Sequence, residues 1–429
     1  MGNEGTYSTR RDVLRSSSAI AGVVLGGVPV GVGAAKGERS SGPDQPKPRR
    51  QWISTWTASP HEPSTALGDY RQGFADQTLR SIVPVSRGGD TIRVRLTNRY
   101  GDRSVTFENV TVGIRETGAT LTPGSLRRVT FGGNRSVTVR AGTKTLSDPI
   151  DLTVTPEQDL AVNLYAQDPT GPPTAHQSAR KTSYIVSGDR TTHRAGNGFS
   201  EITSWFFLEG IEVAAKKRES TVVCFGNSIT DNLYPNYLAR RLNDRPSIPK
   251  AVVNAGIGGN RVLNDSPPDS GFGESAVARF DHDVLAQTGV SDVVFLEGIN
   301  DIGFGANDPA ASVSAEEIIR GHKQIIARAH AAGLNVFGAT LTPFEGASYY
   351  SQSGAEKRRT VNEFIRTTDE YDGVIDFDKA LRDPNHRERL RPKYDSGDHL
   401  HPSDAGYRAM ANAVDLSLLK GPPTPHAIT

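Results

Sequence analysis

The side chains that could do chemistry fall in four short segments of the second half of the chain. Phe225-Gly226-Asn227-Ser228-Ile229-Thr230-Asp231 follows an apolar run and sets a serine at a glycine-flanked turn. Such a turn can present a hydroxyl to solvent among free backbone N–H groups, as a nucleophile requires; taken alone, it reads more simply as a helix N-cap. Asn254-Ala255-Gly256-Ile257-Gly258-Gly259-Asn260-Arg261 lets backbone N–H groups approach a substrate oxygen closely, because glycine takes positive φ freely. A dinucleotide loop is the rival there, but no Gly-x-Gly-x-x-Gly runs into a helix and no acidic residue closes a following strand. Glu297-Gly298-Ile299-Asn300-Asp301 supplies an amide that can donate to a developing oxyanion, a contact that typically contributes roughly 10² to 10³ in rate. In Asp398-His399-Leu400-His401-Pro402, an acid and an imidazole lie one turn apart, so Asp398 can hold and polarise the His401 ring. The pair His399 and His401 also admits a metal reading, weakened by the lack of a third ligand at zinc-type spacing.

Stepping outward, each of the first three segments follows a short, nearly continuous apolar run. The runs 221–225, 251–254, 292–296, 334–340 and 373–377 have the character of strands buried on both faces of a parallel sheet. Helical stretches lie between them. One begins with a capping box at Ser314 and continues with Ile318, Ile325, Ile326 and Ala329 on one side; another follows Ser403 with Met410, Ala413, Val414 and Leu418. The pattern is a doubly wound α/β domain, whose active site belongs at the carboxyl ends of the strands. From Trp52 to about Val213 the signal is instead alternation, clearest in Thr91-Ile92-Arg93-Val94-Arg95-Leu96 and repeated at 105–114, 129–131, 136–139, 160–165 and 184–186. Turns such as Gly88-Gly89-Asp90 separate these runs, so this half is expected to be an antiparallel β-sandwich. It could serve as an accessory layer, meet a partner or bind sugar.

The whole-chain numbers agree with two domains. A length of 429 residues exceeds one ordinary domain, and 36% hydrophobic and 23% charged residues mark a globular chain. A net charge of +1 gives no excess for coating nucleic acid, so no nucleic-acid partner is expected. The one cysteine, Cys224, excludes an intrachain disulfide framework and reads as buried packing. Arg10-Arg11 precedes a glycine-rich apolar run over 19–35, the form of a twin-arginine export signal, with retention as an anchor the alternative. The expected organisation is a signal over 1–35, a flexible linker over 36–50, the β-sandwich over 51–216, the α/β domain over 217–420 and a tail over 421–429. No later stretch is apolar enough to span a bilayer, so a secreted, extracellular protein without a stable membrane span after signal removal is expected. His282, His322 and His330 read as surface or core-edge histidines, and Trp52 and Trp56 as core or interdomain packing.

Together the four segments resemble, in order and spacing, the blocks of the SGNH hydrolases, the GDSL esterase and lipase family: Gly-x-Ser-Ile-Thr-Asp, Gly-Ile-Gly-Gly-Asn, Gly-x-Asn-Asp and Asp-x-x-His-Pro followed by Gly406-Tyr407. The likeness runs from about Thr221 to Leu418, and extended matches around Arg261-Val262-Leu263 and Ile302-Gly303 are similar to a secreted branch with a preceding β-sandwich. The resemblance implies a flavodoxin-like parallel sheet and a Ser-His-Asp triad. Ser228 would be the nucleophile, His401 the base and then acid, and Asp398 the residue orienting the ring. The Ser228 and Gly259 backbone N–H groups and the Asn300 amide would form the oxyanion hole. No metal or organic cofactor is implied. The substrate implied is an acyl ester, with export favouring an acetylated carbohydrate; a lysophospholipase or lipase is the alternative. One departure is that Asn227 stands where the family usually has Asp. That substitution keeps open another class of function, a glycan-binding protein with a weak or inactive hydrolase domain.

Overall fold

A computed structural model describes residues 51–420 apart from residue 217. The expected signal (1–35), linker (36–50) and tail (421–429) therefore lie outside the described residues. The first half consists of two antiparallel sheets. In one, Gln51–Thr57, Leu208–Ala215, Gly89–Thr97 and Ile150–Val154 lie side by side, with Lys144–Leu146 also paired to Gly89–Thr97. In the other, Gln77–Pro84 and Asp159–Ala166 form the centre, flanked by Ser183–Ser187 and Asn109–Thr117. Apolar side chains from both sheets, among them Ile92, Val94, Leu160, Val162, Ile211 and Val213, close the main core, which is the expected sandwich.

One local expectation is corrected, and one strand carried no signal. The run 105–114 is two strands: Val105–Phe107 pairs with Val137–Val139, and Asn109–Thr117 joins the larger sheet. The central strand Gln77–Pro84 carries no alternation because it is buried along nearly its whole length, with Arg80 sunk inside and bonded to Asn163 and to the carbonyls of Ala119 and His193. The alternating strand around Arg93 and Arg95 also does more than separate core from solvent. Its charged face is covered by the second half of the chain: Arg95 pairs with Glu212 and donates to Thr288 Oγ1 at 2.9 Å.

The second half is a five-stranded parallel sheet in the order Lys250–Gly256, Ser220–Gly226, Val290–Leu296, Asn335–Ala339, Gly373–Ile375. This is the doubly wound order of the flavodoxin type. The helix Ala315–Ala331 starts with the expected capping box, Ser314 accepting from the Glu317 N–H, and buries Ile318, Ile325, Ile326 and Ala329. Ser403 caps Asp404–Ala413 by accepting from the Gly406 N–H at 3.3 Å.

Register decides where the chemistry can gather. Gly226 pairs with both Gly256 and Leu296, so the three loops that follow leave the sheet at one height and side by side. The two glycines make this possible. A Cβ on Gly226 would lie 2.2 Å from the Leu296 carbonyl oxygen, and one on Gly256 would lie 2.2 Å from the Asp231 nitrogen. The sandwich packs directly on this half. Thr57 Oγ1 donates to the Asn254 carbonyl at 2.9 Å, and Thr221 Oγ1 donates to the Ser54 carbonyl at 3.0 Å.

Candidate active site

Ser228 sits in the tight turn after Ser220–Gly226. The turn is closed by the Asp231 N–H donating to the Asn227 carbonyl (2.8 Å) and the Ile229 N–H donating to Asn227 Oδ1 (3.0 Å). With Ile229 buried beneath it, the turn aims the Ser228 hydroxyl outward, where it meets His401 Nε2 at 2.8 Å. On the other side of the ring, His401 Nδ1 lies 2.6 Å from Asp398 Oδ2. These three residues, 173 positions apart at their extremes, form one continuous hydrogen-bonded chain. Asp398 is itself fixed by the Leu400 and His401 N–H groups at 3.0 and 2.8 Å and by the Ser396 hydroxyl. Partial burial works to raise its pKa, but the ring and backbone hydrogen bonds outweigh this and hold it at about 2. It is therefore ionised at neutral pH. A carboxylate on Nδ1 fixes the ring tautomer so that Nε2 can accept the serine proton.

The other expected oxyanion donors lie on the loops that follow the two strands paired with Ser220–Gly226. The Ser228 and Gly259 N–H groups donate to no protein atom among the described residues. Gly259 holds φ +73°, and a Cβ on it would lie 2.4 Å from the Phe272 ring; at Gly258 φ is not left-handed and a Cβ would meet open space. Asn300 is buried at the start of the helix Ile299–Asn307, where one amide hydrogen goes to the Asn260 carbonyl (2.8 Å) and Tyr349 donates to its Oδ1 (3.2 Å). The amide's orientation is thereby fixed, and its second hydrogen remains for a ligand.

His399, the other histidine of the late loop, points elsewhere. It pairs with Asp395 at 2.5 Å and packs against Gly346, where a Cβ would lie 2.8 Å from the ring. Each of the two imidazoles thus has its own carboxylate. Among the described residues no group of three or more His, Cys, Asp or Glu side chains is arranged to hold a metal ion. His322 is not a surface or core-edge residue. It is fully buried between Tyr371 and the Glu297 carbonyl, and burial drives its pKa down to about 4. Cys224 is buried in the sheet, where burial pushes its thiol up to about 12.

The Asn227 substitution has a definite environment. Its amide donates to Glu297 Oε1 at 2.7 Å, wholly inside the protein. Burial first, and then the nearby Asp301 charge, raise the Glu297 pKa well above its ordinary value. Asp301 is buried too and pushed up to about 6, while its oxygens accept from the Val262 and Leu263 N–H groups and so pin the chain after the glycine loop.

Sequence reasoning passed over Arg279. It is buried to 1% exposure and donates to the Gly226 carbonyl (2.7 Å), the Ala255 carbonyl (2.9 Å), Asn260 Oδ1 (2.8 Å) and Asp283 (2.7 Å). One guanidinium thereby ties together the ends of two strands and the glycine-rich loop at Asn260. Its i, i+4 spacing to Asp283 was visible, but an exposed helical pair would look the same. Also unforeseen was the reach of the sandwich. Its His176, buried, lies 3.0 Å from Asp231 of the Ser228 turn, and its Arg180 donates to the Asp231 carbonyl at 3.0 Å.

Residues 224–409 match the model of the GDSL-like lipase/acylhydrolase family. The parallel-sheet half is accordingly an acylhydrolase domain, and the protein is an ester hydrolase. The match covers that domain, residues 224–409. Among solved structures it is similar to a GDSL-like lipase from Bacteroides thetaiotaomicron, at 18% identity over 48% of this chain and 90% of that one, with a TM-score of 0.37. It is also similar to Axe2, an acetylxylan esterase from Geobacillus stearothermophilus, at 22% identity over 47% of this chain and 94% of that one, TM-score 0.37. No curated protein sequence matches the chain.

Proposed function

We propose that the protein is a secreted serine esterase that removes acyl groups, foremost acetyl, from carbohydrate esters through Ser228, His401 and Asp398. The observation that carries this reading is the 2.8 Å contact between His401 Nε2 and Ser228 Oγ, with Nδ1 of the same ring on an ionised carboxylate. In the first half-reaction His401 takes the Ser228 proton as the oxygen attacks the ester carbonyl. The Ser228 and Gly259 N–H groups and the Asn300 amide hold the resulting anion, and His401 returns the proton to the leaving alcohol. Water then repeats the attack on the acyl-enzyme, and Ser228 is regenerated. Every proton moves between protein groups, substrate and water.

The twin arginines at Arg10-Arg11 support an extracellular site of action, and with it an external ester. The Asn227 substitution is compatible with activity, because Asn227 bonds to Glu297 beneath the turn and not to His401. The test is direct. Purified protein should react with a fluorophosphonate probe and release acetate from acetylated xylan, and both reactions should vanish in Ser228→Ala. A wild type inert to the probe and to short-chain esters would refute the assignment.

A further inference from the structure

Resting on that reading, we propose that the β-sandwich completes the binding site for the alcohol side of the ester: Arg180, with Asn232 and Tyr407, forms a subsite for a hydroxyl-rich alcohol, a sugar residue, beside His401. The mechanism places it there. The departing oxygen receives its proton from His401 Nε2, so the alcohol must lie on the side of Ser228 that the His401 ring occupies. A shallow pocket opens on that side, lined by His401, Arg180, Asn232, Leu233, Asp404 and Tyr407. Arg180 is the sandwich residue in this wall; the others come from the hydrolase half.

The polar groups of the pocket are poised for a ligand. The Arg180 guanidinium is part-exposed, and its hydrogen bond among the described residues is the one from Nε to the Asp231 carbonyl, with Nη2 4.0 Å from Asp231 Oδ2. Its side chain keeps 42% of its surface exposed. Tyr407 is 97% buried (3% exposed), yet its hydroxyl has no hydrogen-bond partner. A buried polar atom left unpaired is costly, so such atoms commonly find their partner in a bound molecule or water. A fan of guanidinium donors next to a phenol that can both give and take a hydrogen bond matches vicinal hydroxyls. A fatty alcohol would leave the Tyr407 hydroxyl without a partner and bring no row of hydroxyls to Arg180.

Arg180, Asn232 and Leu233 line a second cavity of about 360 Å³ between the two domains, walled by Trp56, Trp205 and Tyr237.

The experiment compares kcat/KM for acetylated xylotriose with that for ethyl acetate, whose alcohol is too small to reach Arg180. In Arg180→Met the ratio of the two should fall about tenfold or more, the usual penalty for losing charge-assisted contacts to a polar substrate. Tyr407→Phe, which removes one unpartnered oxygen and so tests the pocket without endangering the fold, should lower the ratio about threefold or more. A ratio unchanged in both variants overturns the subsite. So does an equal loss on both esters, which would make Arg180 only a brace of the nucleophile turn. A wild type that cleaves ethyl acetate but not acetylated xylotriose overturns the sugar subsite while leaving the esterase intact, whereas inertness toward both esters and the probe would bring down the esterase assignment itself.

Discussion

At the scale of single residues, the site is governed by which carboxylates are charged. Asp398 is ionised because the hydrogen bonds of its own loop outweigh partial burial. Its pKa is depressed from the ordinary 3.8 to about 2, so its hold on the loop is present above pH 3.8 and is lost as the pH falls toward 2. Asp398→Asn keeps the shape but presents the wrong tautomer to Ser228, and kcat should fall by about 10² to 10⁴ with KM nearly unchanged, as measured with a chromogenic acetate. Glu297 is the opposite case. Its folded pKa is raised, so the native state binds a proton that the unfolded chain gives up above its ordinary value of 4.5. Its effect is therefore a stability that is greatest below that pH and drains as the pH rises toward the raised folded value. Glu297→Gln, which can still accept from Asn227, should flatten the fall of melting temperature between pH 5 and 8 as followed by circular dichroism at a series of pH values. A wild-type profile without that fall would contradict the raised pKa.

At the scale of elements, the site depends on loops that approach each other closely. The sheet register brings three strand ends level, and Gly226 and Gly256 let the loops touch where any side chain would collide with backbone. Within the oxyanion loop the two neighbouring glycines are not equivalent. Gly259→Ala meets both a left-handed φ and the Phe272 ring, and should cost about 1 to 3 kcal/mol. By displacing an oxyanion donor it should also lower kcat by about tenfold to a hundredfold. Gly258→Ala, facing open space, should be close to wild type in both respects. Equal behaviour of the two variants in urea unfolding and ester hydrolysis would show that the donor has been misplaced. Arg279 belongs to this scale too, since it joins the ends of two strands to Asn260, the residue whose carbonyl holds the Asn300 amide.

At the scale of the whole molecule, the sandwich and the hydrolase share a polar, hydrogen-bonded contact. Arg95 and Glu212, on the outer face of the smaller antiparallel sheet, are buried by the 286–288 segment of the second half, where Thr288 donates to Glu212 at 2.6 Å. Arg93 also pairs with Glu212, so losing Arg95 removes its bonds to Glu212 and Thr288 without leaving the carboxylate bare. Arg95→Met should therefore cost about 1 to 3 kcal/mol, and the loss should be smaller when Glu212 is already Gln. Denaturant unfolding of the two single variants and the double variant measures the coupling, and simple additivity would mean that the pair is not buried in solution. The same contact brings His176 and Arg180 to Asp231, so the sandwich reaches the nucleophile turn itself.

The sequence by itself determined the two architectures and marked the segments whose side chains meet around Ser228. Strand and helix periodicity is local, and so are the blocks around Ser228, Gly259, Asn300 and His401, because each must hold a fixed backbone shape over a few residues. Also legible were the capping box at Ser314 and the buried thiol of Cys224. The central strand Gln77–Pro84 was hidden, because a buried Arg80 breaks the alternation that marks a strand, and the buried His322 looked like any helical histidine. What only the tertiary structure decided is which distant groups share one space: Asn227 with Glu297, Arg279 with three chain segments, and Arg180 of the sandwich with the pocket beside His401. Those partnerships depend on where a long side chain ends after the sheets have packed, and side-chain type and spacing along the chain carry no record of that.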